Sequence, residues 1–145
     1  LDWGQLLKNL DGDADLAHKT VEGFIRAAIE AVPTGKQNSS AAHNPPSLVL
    51  AVVRNGGMGW SLANAFERPV RPTLDSGFVE PSAKKLDEYW SRLGAIYGTN
   101  SVANIAVLGL DADLPLAALR DASVADIDSL VTQTVAALVG EAGGV

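Results

Sequence analysis

The residues best suited to chemistry stand together in one polar stretch, Gly35-Lys36-Gln37-Asn38-Ser39-Ser40-Ala41-Ala42-His43-Asn44-Pro45-Pro46-Ser47. Lys36 offers a positive point charge. Gln37, Asn38, Ser39, Ser40, His43 and Asn44 offer donors and acceptors, and the backbone around Gly35 is slim enough to approach a sugar-phosphate strand closely. The same residues also suit a solvated loop in which Asn and Ser merely close turns, and chemistry alone favours that reading somewhat over RNA contact. Gly35-Lys36 is not a phosphate loop. No glycine stands five residues before Gly35, Gln37 replaces the hydroxyl residue that would hold magnesium, and the stretch follows a helix pattern where a phosphate loop would leave a strand.

Other constellations fail on geometry. Asp11, Asp13, Asp15 and Glu22 occupy positions one, three, five and twelve of a calcium-loop pattern, but Leu16 stands where that loop needs a turning glycine, so these acids read as helix-capping residues. His18 and His43 are the only histidines and share no zinc spacing; His18 is expected on the surface. Gly59-Trp60-Ser61-Leu62-Ala63 is a poor match to a nucleophile elbow, and no acid-base pair stands out. No catalytic, metal or cofactor role is therefore expected. Trp3 and Trp60 have the surface to stack bases, whereas Tyr89, Trp90 and Tyr97 lie on an apolar helix face where core packing is the expectation.

These groups need a scaffold, and 145 residues suffice for one domain with a real core. With 47% hydrophobic and 19% charged residues the chain is globular in composition, and its longest apolar run, Leu48 to Val53, has strand length, so no membrane span is expected. The absence of cysteine suits a reducing compartment, and the first residues lack the basic and apolar regions of a signal peptide, which gives the cytoplasm as the expected location. The chain opens at Leu1 without a start methionine and in helix-like spacing, which leads us to expect a portion of something longer. A net charge of −6 opposes any grip on a polyanion by this portion alone, because such affinity comes largely from Lys and Arg.

Periodicity supplies the elements. Trp3, Leu6, Leu7 and Leu10 predict a short helix ending at Asp11-Gly12; Ala17, Val21, Phe24, Ile25, Ala28, Ile29 and Val32 predict a longer one capped at Asp13 or Asp15 and ended by Pro33-Thr34-Gly35. Leu48 to Val53 reads as a buried strand running into Asn55-Gly56-Gly57, and a second strand is expected near Trp60 to Ala65. A helix capped by Ser82 carries Leu86, Tyr89, Trp90, Leu93, Ile96 and Tyr97 and stops at Gly98. Val102 to Leu110 predicts another strand, and Ser123 with Asp126 predicts the cap of a last helix through Ile127, Leu130, Val131 and Val135 to Gly140. The expectation is one α+β unit over residues 1–145, with helices laid on a small sheet and residues 33–46 as an excursion.

Pro33-Thr34-Gly35-Lys36-Gln37-Asn38-Ser39, then Ala41 to Pro46, then Ser61-Leu62-Ala63-Asn64-Ala65-Phe66-Glu67-Arg68-Pro69-Val70, in that order, resemble the CasC family, the backbone of type I-E CRISPR Cascade. The likeness extends from about Trp3 through Val70 and thins toward the C-terminus. It implies a fragment of an RNA-recognition-motif-like (ferredoxin-like) palm with a projecting thumb at residues 33–46. It further implies a subunit without enzyme activity that polymerises along the guide RNA (crRNA) with copies of itself and other Cascade subunits, leaving the guide to pair with target DNA.

On this resemblance Gly35 to Asn44 clasps the RNA. Lys36, Gln37, Asn38 and Ser39 carry the guide contacts, and His43 and Asn44 serve the RNA or the next subunit. The family's main basic surface belongs to an N-terminal portion outside this chain, which reconciles RNA binding with the acidic charge, and Arg54, Arg68 and Arg71 are read as ordinary surface charges. The family pattern has an aromatic residue at Ser40 and an acidic one at Ser47. Serine at position 40 removes a stacking surface worth about 1 to 3 kcal/mol per base, so the bend in the guide relies on other residues. The alternative is a protein-interaction module of a multisubunit assembly without direct RNA contact.

Overall fold

The computed structural model describes residues 1–31, 44–57, 59–72 and 77–138. Helix α1 (Trp3–Asn9) begins on its own cap: the Asp2 carboxylate accepts the Gln5 N–H at 2.9 Å, so the chain does not open inside a helix. It ends in a left-handed turn at Asp11 (φ 51°) and Gly12 (φ 84°), where the Gly12 N–H reaches back to the Leu7 carbonyl at 2.9 Å. Helix α2 (Ala14–Glu30) starts at once on Asp13, whose carboxylate accepts the Leu16 N–H at 2.9 Å. The calcium-like spacing is thus two helix ends meeting head to tail, and no cluster suited to a metal ion occurs among the described residues.

Strands β1 (Leu48–Arg54) and β2 (Val102–Gly109) pair antiparallel, with Leu50 opposite Val107, Val52 opposite Ile105 and a bulge between Val53 and Arg54. Alternation sends Leu48, Leu50 and Val52 to one face and Val49, Ala51 and Val53 to the other. Both faces are covered. On the first, Leu48, Leu50 and Val52 pack against a core of Ala83, Trp90, Val107, Leu114, Leu116 and Leu119. Helix α4 (Ile127–Leu138) lies against both strands and α2 lies against α4. Burial from two sides is why β1 is a continuous apolar run instead of an alternating one.

Helix α3 (Val79–Tyr97) starts three residues before the expected cap at Ser82. Pro81 falls in its first turn, where a missing N–H has no intrahelical acceptor to forgo, and Ser82 already donates to the Phe78 carbonyl at 3.1 Å. Its stripe is only partly core: Trp90 is buried, but Ile96 and Tyr97 near the C-terminal end are 75% and 68% exposed. The expected strand at Trp60 to Ala65 is instead a 3₁₀ turn, Leu62–Phe66, packed along α3. Its Leu-Ala-Asn-Ala-Phe sequence has no β-branched residue to favour a pleated conformation. At α4 the cap is Asp126, which accepts the Ser129 N–H at 2.7 Å, while Ser123 is extended and bridges to Val107. No helix among the described residues is long and apolar enough to cross a membrane.

One residue ties the first layer together. Asp87 of α3, 4% exposed, accepts the backbone N–H groups of Ala117, Ala118 and Leu119 at 2.9 to 3.1 Å. A buried carboxylate is tolerable only with such charge-assisted bonds, and these pin the loop after β2 onto α3.

Candidate nucleic-acid interface

Gly35, Lys36, Gln37, Asn38, Ser39, Ser40 and His43 lie outside the described residues. Asn44 is described: it is exposed and precedes Pro45, Pro46 and the start of β1. The described elements on either side of residues 32–43 are an outgoing stem before them and a returning stem after them. The outgoing stem is α2, capped at Ala31, whose N–H donates to the Ala27 carbonyl at 2.8 Å. Arg26, one turn earlier, donates to Asp128 of α4 at 2.8 Å and to Glu22 at 3.2 Å; Asp128 first and Glu22 second push the guanidinium pKa further up. Both ion pairs are solvent-accessible and orient the stem more than they stabilise it. The returning stem is β1, held by its seven-residue ladder and by the Leu110 N–H, which donates to the Ser47 carbonyl at 3.0 Å.

At the other end of β1 lies an aromatic and cationic cluster that sequence reasoning did not assemble. The Arg54 guanidinium sits 4.3 Å over the Trp60 ring and donates to the Ser101 hydroxyl at 2.6 Å. Trp60 meets Trp90 edge-on at 5.4 Å, and Tyr97 lies 6.3 Å from Trp60. Such a stacked arginine contributes about 0.5 to 1 kcal/mol and holds Trp60 in place. The turn after Arg54 is possible because Gly56 (φ 73°) and Gly57 (φ 77°) accept left-handed geometry. Arg54 is thus a built-in contact, not a free surface charge, and Trp60 is half-buried packing. The signal in the sequence was the Arg54-Asn55-Gly56-Gly57 run close before Trp60.

His18 also departs from expectation. It is half-buried and stacked on Trp3 at 4.8 Å, with Nε2 shut away and unbonded among the described residues, so these two rings pin α1 to α2. Between the layers a cleft of about 880 Å³ touches Ala51, Val52, Val53 and Arg54 of β1 and no residue of β2.

With this geometry in view, known proteins supply the family. A search of curated proteins gives no match. Among solved structures, the chain is similar to a chain of a CRISPR RNA-guided surveillance complex, with 31% identity, a TM-score of 0.83, and coverage of 94% of this chain and 50% of that one. It is also similar to a chain of a CRISPR RNA-guided surveillance complex in a pre-nicking state, with 29% identity, a TM-score of 0.81, and coverage of 95% and 36%. The chain thus spans half of the first relative and about a third of the second. These likenesses agree with the CasC resemblance and with an α+β, RNA-recognition-motif-like unit. Residues 1–133 match the model of the CT1975-like protein family, and the chain belongs to that family.

Proposed function

We propose that this chain is a non-catalytic part of the guide-RNA-binding backbone of a CRISPR Cascade surveillance complex, working in the cytoplasm. The observation that carries this reading is the 31% identity, at a TM-score of 0.83 over 94% of the chain, to a chain of a CRISPR RNA-guided surveillance complex. Residues 1–145 act as one α+β unit and residues 33–46 as its thumb. Lys36 meets a phosphate, Gln37, Asn38 and Ser39 bond to sugar and phosphate oxygens, Gly35 and Ser40 keep the backbone close to the strand, and His43 and Asn44 serve the guide or the next copy. Contacts of this kind position the RNA without reading its bases, which leaves sequence recognition to pairing between guide and target DNA. Two well-anchored stems, α2 on α4 and β1 on β2, support the use of the intervening segment as a lever along the guide.

The test is a Lys36→Ala, Gln37→Ala, Asn38→Ala triple variant assembled on guide RNA with copies of itself and the other Cascade subunits. The expected result is at least about tenfold weaker RNA retention and a shallower dependence on salt, since one cationic contact is lost. Unchanged retention overturns the site assignment. Apparent RNA affinity that does not respond to salt at all favours a protein-interaction module instead.

A further inference from the structure

Arg26 ties two helices together. Its Nη1 donates to the Asp128 carboxylate in the first turn of α4 at 2.8 Å while its Nε donates to Glu22, one turn back on α2, at 3.2 Å. Two N–H groups of one planar guanidinium are thus engaged at once, a fork that a lysine ammonium does not have. The Arg26–Glu22 and Lys84–Glu88 pairs each lie within a single helix, whereas Arg26–Asp128 crosses from one helix to the next.

The position of this contact along α2 gives it a use. The buried residues of α2, Ala17 and Val21, both fall in the first half of the helix, and from Glu22 to Glu30 no residue is more than partly covered. Packing therefore fixes the first half. The second half, which carries the chain to Ala31 and on toward the proposed RNA contacts at Lys36 to Ser39, is tied sideways by Arg26. With side chains 35% and 79% exposed, the pair adds little to folding stability. Its effect is directional. Ala31 lies about 15 Å along the helix from Val21, so a tilt of about 10° moves that end by roughly 2.5 Å, enough to break a hydrogen bond.

We infer that Arg26 is a positioning residue for guide-RNA binding: its tie to Asp128 fixes the Ala31 end of α2, the point from which Lys36 to Ser39 are presented to the RNA. This inference rests on the function proposed for the chain. The test assembles the natural protein and its Arg26→Gln, Asp128→Asn, double and Glu22→Gln variants on guide RNA with the other Cascade subunits. RNA retention is read for each, and urea unfolding of each protein is followed by Trp fluorescence. Asp128→Asn separates the possible causes, because a lost anion strengthens or leaves unchanged a purely electrostatic hold on a polyanion, whereas a lost tie weakens it. The expected retention is about threefold to tenfold weaker for Arg26→Gln and Asp128→Asn alike, with no further loss in the double variant. Glu22→Gln is expected to retain RNA like wild type, and the unfolding midpoint to stay in place in all four variants. Retention unchanged or raised by Asp128→Asn, losses that add in the double variant, an equal loss in Glu22→Gln, or a loss matched by a shifted unfolding midpoint, each overturns it. Wild-type protein that retains no guide RNA instead overturns the proposed function, and this inference with it.

Discussion

The paired strands finish their outer edges differently. Along β2, the Val107 carbonyl is bonded by Val124, the loop through Leu114, Leu116 and Leu119 closes over the first face, and Asp87 pins that loop to α3. Along β1 lies a cleft lined by the exposed Phe24 of α2 and by Trp3 and Gly4 of α1, a helix with no buried residue. The contrast separates two uses of apolar sequence. The β2 side spends its leucines on the chain's own core; the β1 side presents apolar surface that the described residues leave uncovered, which marks an interaction edge.

The largest effect that breaks this contrast is expected at Asp87. Asp87→Ala leaves three backbone N–H groups without their acceptor and is expected to cost about 3 kcal/mol or more, read from urea unfolding followed by Trp fluorescence. Asp87→Asn keeps one acceptor oxygen and is expected to cost less. A loss within the noise for both would mean that the loop is held by its leucines alone.

A smaller effect is expected at the cap of α4. The Ser129 side chain, and then its backbone N–H, hold the Asp126 carboxyl below its ordinary value of 3.8. Because the folded pKa is depressed, the stabilisation is fully present above the unfolded value and is lost as the pH falls through the folded one. Thermal unfolding followed between about pH 6 and about pH 2 should show an acid loss that Asp126→Asn, which cannot titrate, reduces. An identical acid limb in both proteins would assign the loss to other carboxylates.

The smallest effect sharpens the comparison from the open side. Phe24→Ala in residues 1–145 alone is expected to change unfolding stability by less than about 0.5 kcal/mol, although deleting a buried phenylalanine costs about 3 to 5. A large loss here would mean that Phe24 is core and the cleft is closed.

Most elements were legible because their signals are local. The cap at Asp13, the apolar period of α2 and the unbroken run of β1 are all short-range patterns. Asp87 was not legible, since a carboxylate on a helix looks solvent-facing until folding brings Ala117 to Leu119, thirty residues later, onto it. Trp60 to Ala65 misled for a related reason: its apolar content records packing on α3, not pairing in the sheet. For the site, composition identified Gly35 to Asn44 as the unusual stretch but left a solvated loop and an RNA contact both open. Of those residues only Asn44 is described, and its exposed position at the foot of β1 suits either role.

The central claim is tested most directly by isolating the natural protein with its partners at low salt and sequencing the nucleic acid that accompanies it. The account predicts short RNAs that share a constant repeat-derived segment and differ elsewhere. Protein free of RNA with its native partners present contradicts it and leaves a protein-interaction module.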